Sequence, residues 1–238
     1  MNKKYYPYLL PIRSVVFILI FIIGSAIVNK ELKEISNWWT VIATMVNICT
    51  IFILVVAAKS GGTSYKEVIN YQKGKTRPGI VIKMCLIILV VGMAGMFMAG
   101  FICYGVIPYA APMIIAPIPK SLAIINAVFL PITTALSEDA LYLGYGTGQI
   151  KNKTAAILIP AFFFSLQHCF IPTLFDVKYI LYRFLSFLPL TIILCRQYYK
   201  DKNPLPIMIG HALIDVATVM QILATSVIPG FYDKFCSM

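Results

Sequence analysis

Five ionisable residues inside the long apolar runs of this sequence have the types and spacing that water-activating chemistry needs. Glu138 and Asp139 are adjacent in one run, His168 closes another, and His211 and Asp215 lie four residues apart in a third. A charged side chain at bilayer depth costs about 2.5 kcal/mol or more, so such residues are retained where they are paired or used. Glu138 and His168 could take a proton from a water molecule that attacks a carbonyl, while His211 and Asp215 hydrogen-bond the developing oxyanion.

The same side chains allow other uses. Glu138, His168 and His211 could ligate a divalent metal such as zinc, which would lower the pKa of a bound water toward about 7. The sequence contains no His-Glu-x-x-His pattern, which would independently indicate zinc. His and Asp also form hydrogen bonds between membrane helices and line proton or ion pathways. Spacing alone leaves water activation, metal binding, helix packing and ion transport open.

Composition predicts that these residues are carried by membrane helices. Apolar residues make up 60% of the 238 residues and charged residues 12%, with a mean hydropathy of +0.85. So little charge cannot cover a water-facing surface, which excludes a soluble globular protein, and disorder requires the opposite composition. Seven apolar runs approach the roughly 20 residues that cross a bilayer as a helix; they are residues 9–28, 38–58, 80–107, 121–148, 154–170, 179–195 and 205–228.

The predicted fold is an all-α, polytopic transmembrane helical bundle of about seven to eight spans. Pro131 inside the fourth run predicts a kink or a break near Ile132, and a break would add the eighth span. Four prolines between positions 108 and 119 exclude a regular helix and predict a re-entrant or interfacial connector. We expect one integral unit in two parts: residues 1–120 with a basic cytoplasmic loop and the Pro-rich connector, and residues 121–238 as the core that carries the motifs.

Helix geometry predicts that the catalytic candidates reach comparable depths. Glu138 precedes Asn152 of the connecting turn by 14 residues and His168 follows it by 16. These separations correspond to about 21 and 24 Å along antiparallel helices. In the following hairpin, His211 and Asp215 lie about 14 and 20 Å from the turn by the same rule, and they share one helix face. The sequence therefore predicts a cluster in the middle or outer part of the bilayer.

The formal charge of +11 is explained by the flanks of membrane helices. Lys and Arg occur mainly in short gaps between the apolar runs, where they act as interfacial anchors and topology signals. Most of them, with Arg13 counted among them, lie on one side if the N-terminus is inside. We therefore expect a multi-pass protein of the cell membrane with lipids as neighbours and no nucleic acid as a partner.

Three short motifs in the second half of the chain resemble those of the CPBP family, the CAAX proteases and Abi-type bacteriocin-processing enzymes. The signatures of that family are Glu-Glu-x-x-x-Arg, often followed by Gly, then Phe-x-x-x-His, then His-x-x-x-Asn or Asp. The corresponding residues are Glu138-Asp139-Ala140-Leu141-Tyr142-Leu143-Gly144, Phe164-Ser165-Leu166-Gln167-His168 and His211-Ala212-Leu213-Ile214-Asp215. They occur in the family order, and together in a polytopic chain they are fairly specific.

The resemblance implies an intramembrane endopeptidase that hydrolyses a peptide bond in a membrane-associated peptide or a lipidated protein, as in CAAX processing or bacteriocin and pheromone maturation. Glu138 and His168 would activate water, and His211 with Asp215 would form the oxyanion site. Phe164 would fix the rotamer of His168 from one turn earlier. No cofactor is required in a glutamate-type mechanism, whereas a metal-dependent mechanism would use zinc held by Glu138, His168 and His211.

Two residues depart from the family pattern. Asp139 replaces the second Glu and shortens its reach by one methylene group, and Leu143 replaces the Arg. Without that cation, three carboxyl groups face two imidazoles, and we expect Arg183 in the sixth run to supply the counter-charge. Alternatively, the Arg183 side chain snorkels to the membrane interface. For the protein as a whole, two other functions remain open: a catalytically weakened relative that binds peptide in bacteriocin immunity, and a proton-coupled membrane transporter.

Overall fold

The structure is a computed structural model that describes residues 8–107 and 112–236. Helices account for most of these residues, and the described part of the chain contains no β-strand, so the predicted all-α fold is confirmed. In chain order the helices are α1 (Ile12–Val28), α2 (Leu32–Ser36), α3 (Trp39–Ser60), α4 (Tyr65–Val68), α5 (Pro78–Tyr104), a 3₁₀-helix (Pro112–Ile115), α6 (Lys120–Thr134), a π-helix (Ala135–Thr147), α7 (Lys153–His168), α8 (Val177–Asp201), α9 (Leu205–Val227) and α10 (Phe231–Cys236).

The ends of the long helices follow local sequence signals. α5 begins with Pro78, whose missing N–H would be unpaired in the first turn in any case. It ends at Gly105, which takes a left-handed conformation with φ of 72° and closes the helix. Asn152 and Asp176 cap α7 and α8, because each side chain accepts a hydrogen bond from a backbone N–H of the first turn.

Five helical segments in the described residues are long and apolar enough to cross a membrane: α3, α5, the continuous α6 and π-helix, α8 and α9. α1 is apolar but has 17 residues, and α7 has 16. Both are shorter than the roughly 20 residues that a perpendicular span needs. The polytopic bundle is therefore confirmed, whereas the predicted count of seven to eight spans is not exact, although every predicted apolar run contains a helix.

The bundle has its polar side chains inside and many of its large apolar side chains outside. On α3, Thr40, Thr44, Asn47 and Thr50 recur at helical spacing and are buried. The opposite face exposes the large apolar side chains of Met45, Ile48, Phe52 and Val56. A contiguous apolar exterior of this kind suits lipid rather than water.

The motif-bearing helices pack against one another and against the N-terminal helices. α5 contacts α8 and α9, α7 contacts α8, and α6 contacts α3 and α9. α1 packs on α3 and α7, so α1 reaches the helix that carries His168. The division of the chain at residue 120 stays a prediction.

Pro131 does not break the fourth apolar run at the predicted place. It lies within α6, and the helix changes to the π form only at Ala135. Nearby, the Thr133 hydroxyl donates to the carbonyls of Phe129 and Leu130 at 2.7 and 3.2 Å, which satisfies acceptors in this turn. The helix continues through Pro131 as one segment of 28 residues. Of the Pro-rich connector, residues 108–111 lie outside the described residues, and Ile115, Ala116 and Ile118 are buried.

Candidate active site

A π-helix carries the two adjacent carboxyl groups of the first motif. All residues of Ala135–Thr147 except Leu136 are buried, including Glu138 and Asp139. The wider i→i+5 hydrogen bonding of a π-helix is rare and is found mostly at functional sites. Neighbouring residues on a helix project in different directions, and these two carboxyl groups accordingly have different partners.

Two side chains hold the Glu138 carboxylate from opposite sides. Arg13 Nη2 on α1 donates to Glu138 Oε1 at 2.8 Å. Gln167 Nε2 on α7 donates to Glu138 Oε2 at 2.6 Å. The exposed fraction of the Glu138 side chain is 5%, so its charge depends on these protein partners rather than on water.

His168 presents an unprotonated ring nitrogen to Glu138. Its Nδ1 lies 2.7 Å from the carbonyl oxygen of Phe164. Because a carbonyl can only accept, Nδ1 carries the proton and the neutral ring has its lone pair on Nε2. This Nε2 lies 3.9 Å from Glu138 Oε2. The ring also stacks on Phe187 of α8, with centroids 3.8 Å apart, so its orientation is held from two sides.

Phe164 contacts both histidines of the protein. Its ring centroid lies 5.8 Å from that of His168 and 5.9 Å from that of His211. The ring of Tyr142 stacks on its other side at 4.6 Å. Phe164 therefore separates the two imidazoles and packs against each.

His211 is held by Asp139. Its Nδ1 lies 3.2 Å from Asp139 Oδ1, and since a carboxylate accepts, the imidazole donates. Asp215 follows one turn later on α9. Within the described part of the chain, Oδ2 of Asp139 and Oδ2 of Asp215 are buried without a hydrogen-bond partner. A buried polar atom without a hydrogen bond costs free energy, so the presence of two such atoms here calls for a reason, and a functional site is one.

A cavity of about 200 Å³ joins these residues. Glu138, His168, His211 and Asp215 line it, as do Phe164 and Arg183. Most of the remaining wall is apolar and comes from α3, α5, α6, α8 and α9. Asp139 lies behind His211 and does not line the cavity. The predicted catalytic residues thus share one space within the bundle.

Arg183 does not contact a carboxylate, in contrast to the predicted counter-charge. Its Nε donates to the carbonyl of His168 and its Nη2 to the carbonyl of Ile171, each at 3.1 Å. The guanidinium also lies over the Phe187 ring, 4.8 Å from its centroid. Arg183 therefore donates to carbonyls at the end of α7 and just beyond it, where a helix leaves acceptors without intrahelical partners. The cation against Glu138 is Arg13.

The side chains of the site do not fit a metal ion. Among residues 8–107 and 112–236, no three His, Cys, Asp or Glu side chains are grouped to hold one. Both Glu138 oxygens already accept hydrogen bonds, and one of the donors is the cation Arg13. A second cation there would meet like-charge repulsion. The predicted zinc ligands Glu138, His168 and His211 consequently enter no step below.

Three residues that contact the catalytic candidates were not identified from the sequence. Arg13 was assigned to a cytoplasmic flank, yet it is fully buried. The feature that could have indicated its role is its position as a lone charge within an apolar run. Gln167 precedes His168 in the second motif, and its polarity in a membrane helix was also a signal. The sequence contains no signal for the role of Phe187, because one more Phe in an apolar run does not indicate a stacking partner.

A protein-family model matches the segment of the chain that carries the motifs. Residues 120–217 match the family model described as Rce1-like, type II CAAX prenyl endopeptidase Rce1-like. This segment is similar to the Rce1-like family. The CPBP resemblance predicted from the motifs is thereby confirmed. Comparisons with curated proteins and with solved structures gave no match.

The Rce1-like segment carries every predicted site residue, from Glu138 to Asp215, whereas Arg13 and α3 lie outside it. The family is one of CAAX-type intramembrane proteases, and it supports a protease with a peptide or prenylated-protein substrate at that general level. Together with the five long apolar helices, it indicates a membrane protein.

Proposed function

We propose that this chain is an intramembrane endopeptidase of the cell membrane that hydrolyses a peptide bond in a membrane-associated peptide or a lipidated protein. One observation carries the proposal. Glu138 Oε2 and His168 Nε2, both hydrogen-bond acceptors, lie 3.9 Å apart on the wall of one cavity. Two acceptors at this separation suit a water molecule, which has two hydrogens to donate.

The reaction begins with that water. It donates one hydrogen to Glu138 and the other to His168, which directs an oxygen lone pair at the substrate carbonyl carbon. As the new C–O bond forms, the Glu138 carboxylate takes the proton. When the C–N bond breaks, this proton passes to the leaving nitrogen, so the products are a carboxylic acid and an amine. Each proton transfer by a positioned side chain contributes about 10²- to 10⁴-fold in rate.

His211 stabilises the oxyanion of the tetrahedral intermediate. Its Nδ1–H donates to Asp139, so a protonated imidazole has its Nε2–H free for the substrate oxygen. The Asp139 carboxylate balances the positive charge of that imidazole. Asp215, on the cavity wall one turn along α9, adds a second donor in its protonated form.

The apolar wall of the cavity supports a substrate delivered through lipid. Trp39, Ile88, Met96 and Leu130 contribute to it from three different helices, α3, α5 and α6. A mostly apolar pocket with a few convergent polar groups is the common form of a small-molecule or peptide subsite. A hydrocarbon chain or an apolar peptide segment can fill such a wall while the scissile bond meets Glu138 and His168.

The test uses the purified full chain in liposomes with three quenched fluorescent peptides. The first ends in a farnesylated Cys-a-a-X sequence, the second is its unprenylated counterpart, and the third is a bacteriocin-type leader peptide. We expect cleavage of at least one peptide, with the broken bond located by mass spectrometry. Glu138→Gln and His168→Gln should each lower kcat by about 10²- to 10⁴-fold.

Glu34→Gln is the matched control, because Glu34 is an exposed carboxylate on α2. It should retain the wild-type rate. Wild-type rates in Glu138→Gln would refute the proposal. Peptide binding without any product would instead favour the catalytically weakened relative, and solute flux that is lost in both site variants without a product would favour the transporter.

A further inference from the structure

Arg13 is a fully buried cation that uses its whole hydrogen-bonding capacity. Its exposed fraction is 0%. A guanidinium has five N–H donors, and here they meet five side-chain oxygens from three helices, α3, the π-helix and α7. The acceptors are Gln167 Oε1 at 2.7 Å from Nε, Thr50 Oγ1 at 3.0 Å and Ser137 Oγ at 3.2 Å from Nη1, and Asn47 Oδ1 at 2.7 Å and Glu138 Oε1 at 2.8 Å from Nη2.

Only one of these five acceptors is charged. Asn47, Thr50, Ser137 and Gln167 are neutral, so the charge of Arg13 is balanced by the Glu138 carboxylate. A buried charge is tolerated only where a partner compensates it. The neutral acceptors fix the guanidinium plane, because each of them sets the direction of a different N–H.

Gln167 extends this control to the second oxygen of Glu138. Its Oε1 accepts from Arg13 Nε and from the Tyr142 hydroxyl, at 2.7 and 3.2 Å. Both of those groups donate, so the amide oxygen must face them and the amide nitrogen must face Glu138 Oε2. The amide therefore cannot flip. Arg13 thus sets the position of both carboxylate oxygens, one directly and one through Gln167.

We infer that Arg13 is a positioning residue of the active site, which supplies from α1 the positive charge that the first motif lacks at Leu143 and holds Glu138 ionised with Oε2 beside His168. The inference rests on the proposed function for its catalytic consequence. Leu143 is itself fully buried within an apolar cluster and donates nothing. Arg13 does not line the cavity, so it acts on the substrate only through Glu138.

The first test measures cleavage by Arg13→Met and Arg13→Lys in the liposome assay. Arg13→Met should lower kcat by about 10²- to 10⁴-fold, because a neutral Glu138 cannot take the proton from water. KM should stay within about twofold, since no cavity wall changes. Arg13→Lys keeps the positive charge but loses the planar set of N–H donors of the guanidinium, and its kcat should lie within about tenfold of wild type. Arg196→Met, at an exposed position on α8, is the matched control and should match wild type.

The second test reads the protonation of Glu138 without any substrate. Infrared difference spectroscopy of Arg13→Met against wild type should show the carbonyl stretch of a protonated carboxylic acid. This band should be missing from the double variant Arg13→Met/Glu138→Gln and from Arg13→Lys. A role in packing alone would lower the yield of folded protein but would not create the band.

An Arg13→Met variant with wild-type kcat, or a folded one without the carboxylic acid band, would overturn the inference. If Arg13→Met does not fold, recovery of the folded chain in Arg13→Met/Glu138→Gln supports the charge pairing, and failure of that double variant to fold overturns it. The spectroscopic test is independent of cleavage, so a proposed function refuted by Glu138→Gln leaves the charge pairing separately testable.

Discussion

Replacement of Gln167 by Leu is expected to destabilise the bundle more than the same replacement at a Gln outside the buried site. The Gln167 side chain is fully buried and joins Arg13 to Glu138 through two charge-assisted hydrogen bonds. Leu has a similar size but can neither accept from Arg13 nor donate to Glu138. The substitution therefore leaves two ionised groups each with one unsatisfied position.

The magnitude follows from those two bonds. A hydrogen bond to a charged group contributes about 1.5 to 3 kcal/mol, so the loss of both costs about 3 to 6 kcal/mol. Burial of a leucine side chain in place of an amide returns about 1.5 to 3 kcal/mol. From the central values of these two ranges, about 4.5 and about 2.25 kcal/mol, we expect a net decrease of about 2 kcal/mol in the free energy of unfolding, which is within the range for breaking a buried polar network.

The assay is reversible unfolding in mixed lipid and detergent micelles, followed by circular dichroism. Gln197→Leu is the matched control, because Gln197 donates only to Asp201 near the exposed end of α8. It should change the free energy of unfolding by about 0.5 kcal/mol or less. In the Glu138→Gln background the cost of Gln167→Leu should fall by about 1 kcal/mol or more, since the partner of the Gln167 amide is then neutral.

A Gln167→Leu variant whose stability lies within about 1 kcal/mol of Gln197→Leu would refute the reasoning, because the expected net loss of about 2 kcal/mol at Gln167 exceeds the loss expected at Gln197 by more than that. Equal costs of Gln167→Leu in the wild-type and Glu138→Gln backgrounds would show that Gln167 acts by packing and not through the carboxylate.

Three further changes are informative. Gly95→Ala should lower the free energy of unfolding by about 1 to 3 kcal/mol, because the added Cβ would collide with the Ser186 carbonyl on α8. Gly92→Ala is the control, because a Cβ there would meet only ordinary contacts. Equal stabilities of the two variants would contradict this prediction. Phe187→Leu removes the ring stacked on His168 and should lower kcat by about 2- to 10-fold, while Phe184→Leu, which contacts Phe162, should not; equal rates would contradict it. Asp139→Asn should lower kcat by about 100-fold with KM unchanged, and a change in KM alone would argue against the oxyanion role of His211.

The sequence was sufficient for the helices and for the candidate residues, because both depend on local information. Apolar runs near the thickness of a bilayer predict helices, and all seven runs contain one. Their exact ends depend on caps such as Asn152 and on the π-helix after Pro131, which change the number of residues available to each span. For this reason the number of spans was predicted less exactly than the fold class.

The candidate site shows the same division between local and tertiary information. Residue type and motif order were enough to single out Glu138, His168, His211 and Asp215 as candidates for chemistry in lipid, since an ionisable side chain in an apolar run is expensive wherever it points. Which side chain compensates which charge was decided only by packing. Arg13 and Glu138 are 125 positions apart, and they meet because α1 and the π-helix both pack against α3 and α7. Charge balance in a low-dielectric interior depends on distances of a few ångströms between helices, and a helix's own sequence does not contain those distances.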